Sequence, residues 1–130
     1  MTPPRTTLDA RRAARAAGLT AEALAAAYLR RRGYRILARG YCARGGEIDI
    51  VAMKEDAVAF VEVKARATLE EALVAVTPQK ARRLSSACRR WLTENDWAMA
   101  MTLRGDLIAI APRRFPRHLE AAIDLDLGHA

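Results

Sequence analysis

Cysteine, histidine and aromatic residues are scarce in this sequence, and each scarcity removes a class of chemistry. Cys42 and Cys88 are the only 2 cysteines in 130 residues. Without metal-ligand spacing they exclude a disulfide framework and a cysteine zinc site, and they suit reduced thiols in a reducing compartment. His118 and His129 stand alone, with no partner at metal-ligand spacing. Aromatic residues make up 5% of the chain, and they form no stacking platform of the kind that single-stranded RNA binders use. No run of about 18 apolar residues is present to cross a bilayer. The opening MTPPR is not followed by the apolar core of a signal peptide, so the expectation is a cytoplasmic protein without membrane association. There is no glycine-rich phosphate loop, which excludes an ATP site of that type.

What is present suits one domain: 130 residues with 52% hydrophobic side chains are enough for a single core. The net charge is +7, and its distribution says more than its size. Residues 1–44 carry 10 arginines against 2 acids, residues 45–77 carry 3 bases against 7 acids, and residues 78–117 carry 9 bases against 3 acids. An acidic centre between basic flanks is what a metal site inside a polyanion-binding surface requires, with Arg and Lys on phosphates and carboxylates on the ion. A genome rich in G and C also enriches Arg and Ala, so charge supports nucleic acid as a partner without establishing it.

The acidic centre coincides with a hairpin pattern. Ile48 to Met53 and Val58 to Val63 are apolar and largely β-branched, separated by Lys54-Glu55-Asp56. Side chains alternate along a strand, so Glu47 shares a face with Asp49, and Glu62 with Lys64. A turn centred between Glu55 and Asp56 places Asp49 opposite Glu62 and Glu47 opposite Lys64. Facing carboxylates repel unless a cation lies between them. Hard oxygen ligands suit Mg²⁺ or Mn²⁺, and a lysine beside such an ion can orient water or stabilise phosphorane charge. The constellation points to phosphodiester hydrolysis. The competing reading is a solvated face with a surface ion pair worth under about 1 kcal/mol, and the apolar residues on both faces of the hairpin argue against it.

Gly46-Glu47-Ile48-Asp49 followed by Phe60-Val61-Glu62-Val63-Lys64-Ala65-Arg66 resembles the YraN-like family, itself similar to Holliday junction resolvases of the PD-(D/E)xK nuclease superfamily. The resemblance runs from about Gly18 nearly to the C-terminus and includes Gly18, Glu22, Ala25, Tyr28 and Leu29. It implies a restriction endonuclease-like fold and DNA cleavage, on branched or repair-intermediate DNA, by a homodimer. It also implies that Asp49 and Glu62 bind metal, that the Val63 carbonyl adds a ligand, and that Glu22 reaches the ion directly or through water. Lys64 then assists the water and Gln79 plays a secondary catalytic part. The alternative is a DNA-binding or protein-recruiting module that keeps the fold without catalysis.

Along the chain, residues 1–17 read as a flexible basic arm, with a short helix over Leu8 to Ala17 ended by Gly18, and residues 18–127 as one domain. Thr20 suits an N-cap for a helix over Ala21 to Arg32 with Leu24, Ala27, Tyr28 and the Arg31 stem on one side, closed by Gly33. A first strand starts at Gly33, and Arg39 to Gly46 reads as a glycine-rich connection. After the hairpin come a short helical or irregular segment over Thr68 to Val76 and a long helix capped by Thr77 with Pro78 at its first position. Its predicted buried stripe is Leu84, Ala87, Cys88, Trp91 and Leu92. Strands over Ala98 to Leu103 and Leu107 to Ala111 are expected, turned by Arg104-Gly105-Asp106, with Asp106 structural. Gly105, where the family tends to carry Phe, is expected to weaken packing. The sum is an α/β domain with a mixed central sheet flanked by helices. Arg30, Arg31, Arg32, Arg44, Arg66, Lys80, Arg82 and Arg83 are the candidate DNA phosphate contacts, and Arg113, Arg114 and Arg117 extend a basic tail.

Overall fold

The computed structural model describes residues 20–128. The expected arm, its helix, Gly18 and His129 lie outside the described residues. Helix α1 covers residues 20–31. Thr20 is the first described residue and is helical. Gly33, at φ +90°, ends the helix, and Tyr34 N–H returns to the Leu29 carbonyl at 3.0 Å. The buried face is Ala21, Ala25, Ala26 and Leu29, not the expected Leu24 stripe. Leu24 is 50% exposed. Alanines win the contact because they let the helix lie close on Ala52 and Ala59 of the sheet.

Strand β1 (Arg35–Ala43), strand β2 (Gly46–Lys54) and strand β3 (Ala57–Ala65) form an antiparallel meander. The glycine-rich stretch expected to be a connection is mostly strand, and only Arg44 and Gly45 turn, with Gly45 at φ +93°. The glycines meet a packing need instead. A Cβ on Gly46 would stand 1.8 Å from the Arg83 carbonyl oxygen, so only glycine allows this turn to rest on a helix backbone.

The chain then crosses over through α2 (Leu69–Ala75), α3 (Pro78–Glu94) and a 3₁₀ turn (Asp96–Ala100) to β4 (Thr102–Ile110), and ends in β5 (Arg117–Ile123). Thr68 and Thr77 cap the two helices through their hydroxyls, bonding Glu71 N–H and Lys80 N–H at 3.1 and 3.2 Å. The sheet order is β1-β2-β3-β4-β5, parallel only between β3 and β4. Helix α1 covers one face, against Ile50, Val61 and Ile108; α3 covers the other, where Leu84, Ala87, Cys88, Trp91 and Leu92 meet Ile48, Val51, Val58 and Phe60. This is the expected α/β class with a mixed, helix-flanked sheet, compatible with a restriction endonuclease-like fold. No helix among the described residues is long and apolar enough to cross a membrane.

The expected pair of strands around Arg104-Gly105-Asp106 is a single strand. Local chemistry favours a turn there, but the tertiary contacts override it. A Cβ on Gly105 would meet the Ile123 carbonyl oxygen at 2.6 Å, so glycine is what lets β5 approach, and it does not loosen the packing. Arg104 and Asp106, two apart on the strand, share a face and pair through two bonds of 3.2 and 2.9 Å. His118 Nε2 lies 2.7 Å from Asp106 Oδ2, and Ala121 N–H donates to Oδ1 at 2.9 Å. His118 thus has a partner that sequence spacing did not show.

Asp106 is fully buried. Burial alone pushes its carboxyl up, but hydrogen bonds from His118, Arg104 and Ala121 outweigh that and hold it below the usual carboxylate range. A lowered native pKa stabilises the fold above the unfolded value of about 3.9, and the contribution disappears as pH falls through the native value. Asp106→Asn should cost about 3 kcal/mol in urea denaturation at pH 7, because Arg104 loses its buried counter-charge. The gap to wild type should narrow progressively below about pH 4.

Candidate active site

The β2–β3 ladder follows the expected register from Lys54↔Ala57 to Ile50↔Val61. There it stops. The expected cross-strand pairs Asp49 with Glu62 and Glu47 with Lys64 are not formed, because β3 continues beside β4, with Glu62↔Leu107 and Lys64↔Ala109, while β2 stays with β1. Glu47 faces Cys42 on β1 and is exposed. Asp49 turns into the opening: its Oδ2 accepts the Val63 N–H at 2.8 Å.

The strand twists to make this possible. Ile48 packs in the cluster under α3, whereas Ile50 packs in the cluster under α1. Residues two apart on a regular strand share a face, so the alternation breaks at Asp49. Gly40 on β1, between the paired Arg39 and Tyr41, takes φ +61° at the same level.

Glu62 and Lys64 project from one face of β3, and Lys64 Nζ lies 3.0 Å from Glu62 Oε1, their side chains 17% and 11% exposed. Asp49 is pushed up to about 7, first by burial and then by the Glu62 charge. The Val63 N–H and Lys64 pull the other way, and Glu22 adds further repulsion. Glu22 comes from the first described turn of α1 and pairs with Arg39 Nε at 3.4 Å. Lys64 beside it holds the Lys80 ammonium below the ordinary lysine range, with the charge of Glu62 opposing that fall. Five side chains from α1, β2, β3 and α3 therefore feel one another where β2 and β3 part.

The donor set suits a hard cation of the Mg²⁺ type. Two carboxylates and a backbone carbonyl are oxygen donors, and Mg²⁺ is usually held by one or two carboxylates with several waters and substrate phosphates. Among the described residues no group of three or more His, Cys, Asp and Glu side chains converges closely enough to hold a metal by itself. Any binding therefore needs water or phosphate to complete the shell.

Of the remaining candidates, Gln79 is exposed in the first turn of α3. Arg66 lies two residues after Lys64 and its charge acts on Lys80. Arg44 lies in the β1–β2 turn, which rests on α3 at Arg83 and Ser86, one residue beyond Arg82. Arg30, Arg31 and Arg32 are separated from this group. Arg32 lies 5.1 Å over the Tyr28 ring and lines a hollow with Glu55 and Asp56, at the far end of the hairpin. Seven residues of strand, about 23 Å, divide that end from Lys64. Sequence reasoning missed Arg39, the partner of Glu22; nothing in the local pattern marks an arginine as facing a helix 17 residues earlier.

The profile of the uncharacterised protein family UPF0102 matches residues 21–110. A UPF0102 protein of Methylocella silvestris is 53% identical over 120 residues, covering 92% of this chain and 97% of that protein. One of Methylorubrum extorquens is 47% identical, covering 97% of this chain and 98% of the relative. A third, from Rhodopseudomonas palustris, is 53% identical over 107 residues, or 82% of each.

The raised Asp49 has a measurable consequence. A carboxyl whose native value lies above its unfolded value costs stability as pH rises from about 4 through 7. In EDTA, Asp49→Asn should therefore be more stable than wild type at pH 8 by on the order of 1–2 kcal/mol. The gain should shrink toward pH 5, where wild-type Asp49 holds its proton. Urea denaturation at the two pH values measures it, and a loss of stability at pH 8 would contradict the repulsion.

Proposed function

The chain belongs to the uncharacterised protein family UPF0102, and we propose that it is a Mg²⁺- or Mn²⁺-dependent endonuclease acting on DNA. The observation that carries this reading is the convergence of Asp49, Glu62 and Lys64 where β2 and β3 part, with Lys64 Nζ 3.0 Å from Glu62 Oε1 and with burial first, and the Glu62 charge second, pushing Asp49 up to about 7. Such crowding costs stability, and function is the usual reason for keeping it. The charge pattern supports a polyanionic substrate, and the resemblance to PD-(D/E)xK nucleases supports DNA.

In this reading Asp49, Glu62 and the Val63 carbonyl hold the ion, and Glu22 completes the shell through water. The ion supplies Lewis-acid polarisation of a phosphoryl oxygen and a more acidic bound water. Lys64, already drawn to Glu62 at 3.0 Å, positions the attacking water and offsets negative charge as it develops on the phosphorus centre. Lys80 stands next to Lys64 and, with its ammonium destabilised, gives up a proton more readily than an ordinary lysine. Gln79 lies one residue before it and orients substrate. Arg66, Arg44, Arg82 and Arg83 hold flanking phosphates; Arg30, Arg31 and Arg32 contact a more distant stretch of backbone. Cleavage of two symmetric strands calls for a homodimer. A binding or recruiting module without catalysis is the second reading, in which the exposed arginines on the β1–β2 turn, on α3 and after β3 hold DNA and the acids do no chemistry.

Labelled single-stranded, duplex, flap and four-way-junction DNA, incubated with Mg²⁺, Mn²⁺ or EDTA, distinguishes the two. Wild type should cut with either metal and not in EDTA. Asp49→Ala and Lys64→Ala should each lower cleavage roughly 10²- to 10³-fold, the usual loss when one stabilising group is removed, while still binding DNA. Absence of cutting on every substrate, with tight binding indifferent to Asp49→Ala, would establish the binding module instead.

A further inference from the structure

The loop from β4 to β5, residues 111–116, carries the most exposed large apolar side chain among the described residues. Phe115 is 89% exposed. Pro112 and Pro116 bracket it, each fixing the backbone at φ near −65°. Arg113 takes φ +59°, a left-handed conformation that a non-glycine residue adopts at a cost and keeps only when its surroundings impose it. The phenyl ring is thus held out on a stiff loop.

Its surroundings are cationic. Arg113, Arg114, Arg117 and Phe115 line a hollow of about 820 Å³ whose one acid is Glu70, and Arg66 joins Arg113 and Arg114 at an adjoining hollow of about 650 Å³. Four arginines and a single acid around an exposed ring present positive charge and a π face together, which matches a strand of nucleic acid, whose phosphates take the arginines and whose bases take the ring.

The loop also starts beside the acid–lysine cluster. Lys64 pairs with Ala109 and Ala65 with Ile110, and Arg66 N–H bonds the Ile110 carbonyl at 3.0 Å. Five further residues lead from Ile110 to Phe115, at most about 18 Å of extended chain. One turn of duplex is about 34 Å, so ring and acid cluster fall within one DNA footprint.

We propose that Phe115 is a base-stacking wedge that engages unpaired or unstacked bases at a DNA branch point, while Arg113, Arg114 and Arg117 grip the adjoining phosphates. It rests on the nuclease reading and assigns a side chain to the choice of substrate. Bases inside an intact duplex already stack on one another and are closed to a single ring unless a step is forced open, which costs energy. Bases at a branch are open to it. The wedge therefore selects branched over continuous DNA before any bond is broken.

The test is binding in EDTA, so that cleavage does not enter, of a flap and a four-way junction against a duplex of the same sequence. Phe115→Ala should weaken binding to the branched DNAs roughly 5- to 150-fold, the loss for one stacked base, and leave duplex binding unchanged. Phe115→Trp should retain the wild-type preference and Phe115→Leu should not, since leucine is apolar without a π face. Arg114→Ala should weaken branched and duplex DNA alike and reduce the salt slope by about 1. Exposure of the ring means that thermal melting should be the same for wild type and all three Phe115 variants. If Phe115→Ala keeps the wild-type ratio of branched to duplex affinity in a protein that cuts DNA, the wedge is wrong and the nuclease reading stands. Rescue by Phe115→Leu equal to that by Phe115→Trp would also overturn stacking, since an apolar side chain without a π face would then suffice. If wild type neither binds nor cuts any of these DNAs, both fall together.

Discussion

Everything at the acidic centre depends on β2 and β3 being paired for half their length and separated for the rest. Up to Ile50↔Val61 the two strands are an ordinary antiparallel ladder. Beyond it β3 is committed to β4, and the Val63 N–H on its other side would face the gap. The Asp49 carboxylate accepts that N–H at 2.8 Å, which satisfies a backbone donor and fixes an acid beside Glu62 in the same bond. A backbone need and a chemical need are met by one side chain. This explains why an acid is tolerated so near two apolar clusters, and why its ionisation is penalised there.

The parallel β3–β4 pairing is the second requirement, because it brings the start of the β4–β5 loop to the end of β3 that bears Glu62, Lys64 and Arg66. That strand is held in place at its middle. Asp106 ties Arg104, His118 and the Ala121 N–H together, and Gly105 admits β5. A buried carboxylate with every acceptor position used fixes the alignment of β4 and β5 more narrowly than apolar packing would. The two most perturbed acids among the described residues thus behave oppositely. Asp106 is over-supplied with donors and sits low; Asp49 is short of them, faces other acids and sits high.

Charge is arranged around that difference. The acids Asp49, Glu62 and Glu22 face inward at the strand gap, while arginines are exposed around it on the β1–β2 turn, on α3, after β3 and on the β4–β5 loop. Lys64 is placed between the two sets, bonded to Glu62 and pressed against Lys80. Inward acids and outward arginines give a polyanion a favourable approach and a focus at which its charge meets the lysine pair.

By itself the sequence determined what local chemistry controls. The hairpin turn at Glu55 and Asp56, the caps Thr68 and Thr77, Pro78 at the head of α3 and the buried stripe through Trp91 follow from side-chain periodicity and capping, which act over a few residues. The turn-centred register of β2 and β3 was legible for the same reason as far as Ile50↔Val61, as was the acid–lysine motif. The tertiary structure decided the rest, because each of those features depends on residues far apart in the chain. The early end of the ladder comes from β3 taking β4 as its second neighbour. Alanines instead of Leu24 face the sheet because only small residues fit that close an approach. Arg104-Gly105-Asp106 runs straight through a strand because Ile123, His118 and Ala121 are there to meet it. Burial and long-range partners are not properties of a local window, and they set which acid is raised, which is lowered and which aromatic ring is left in water.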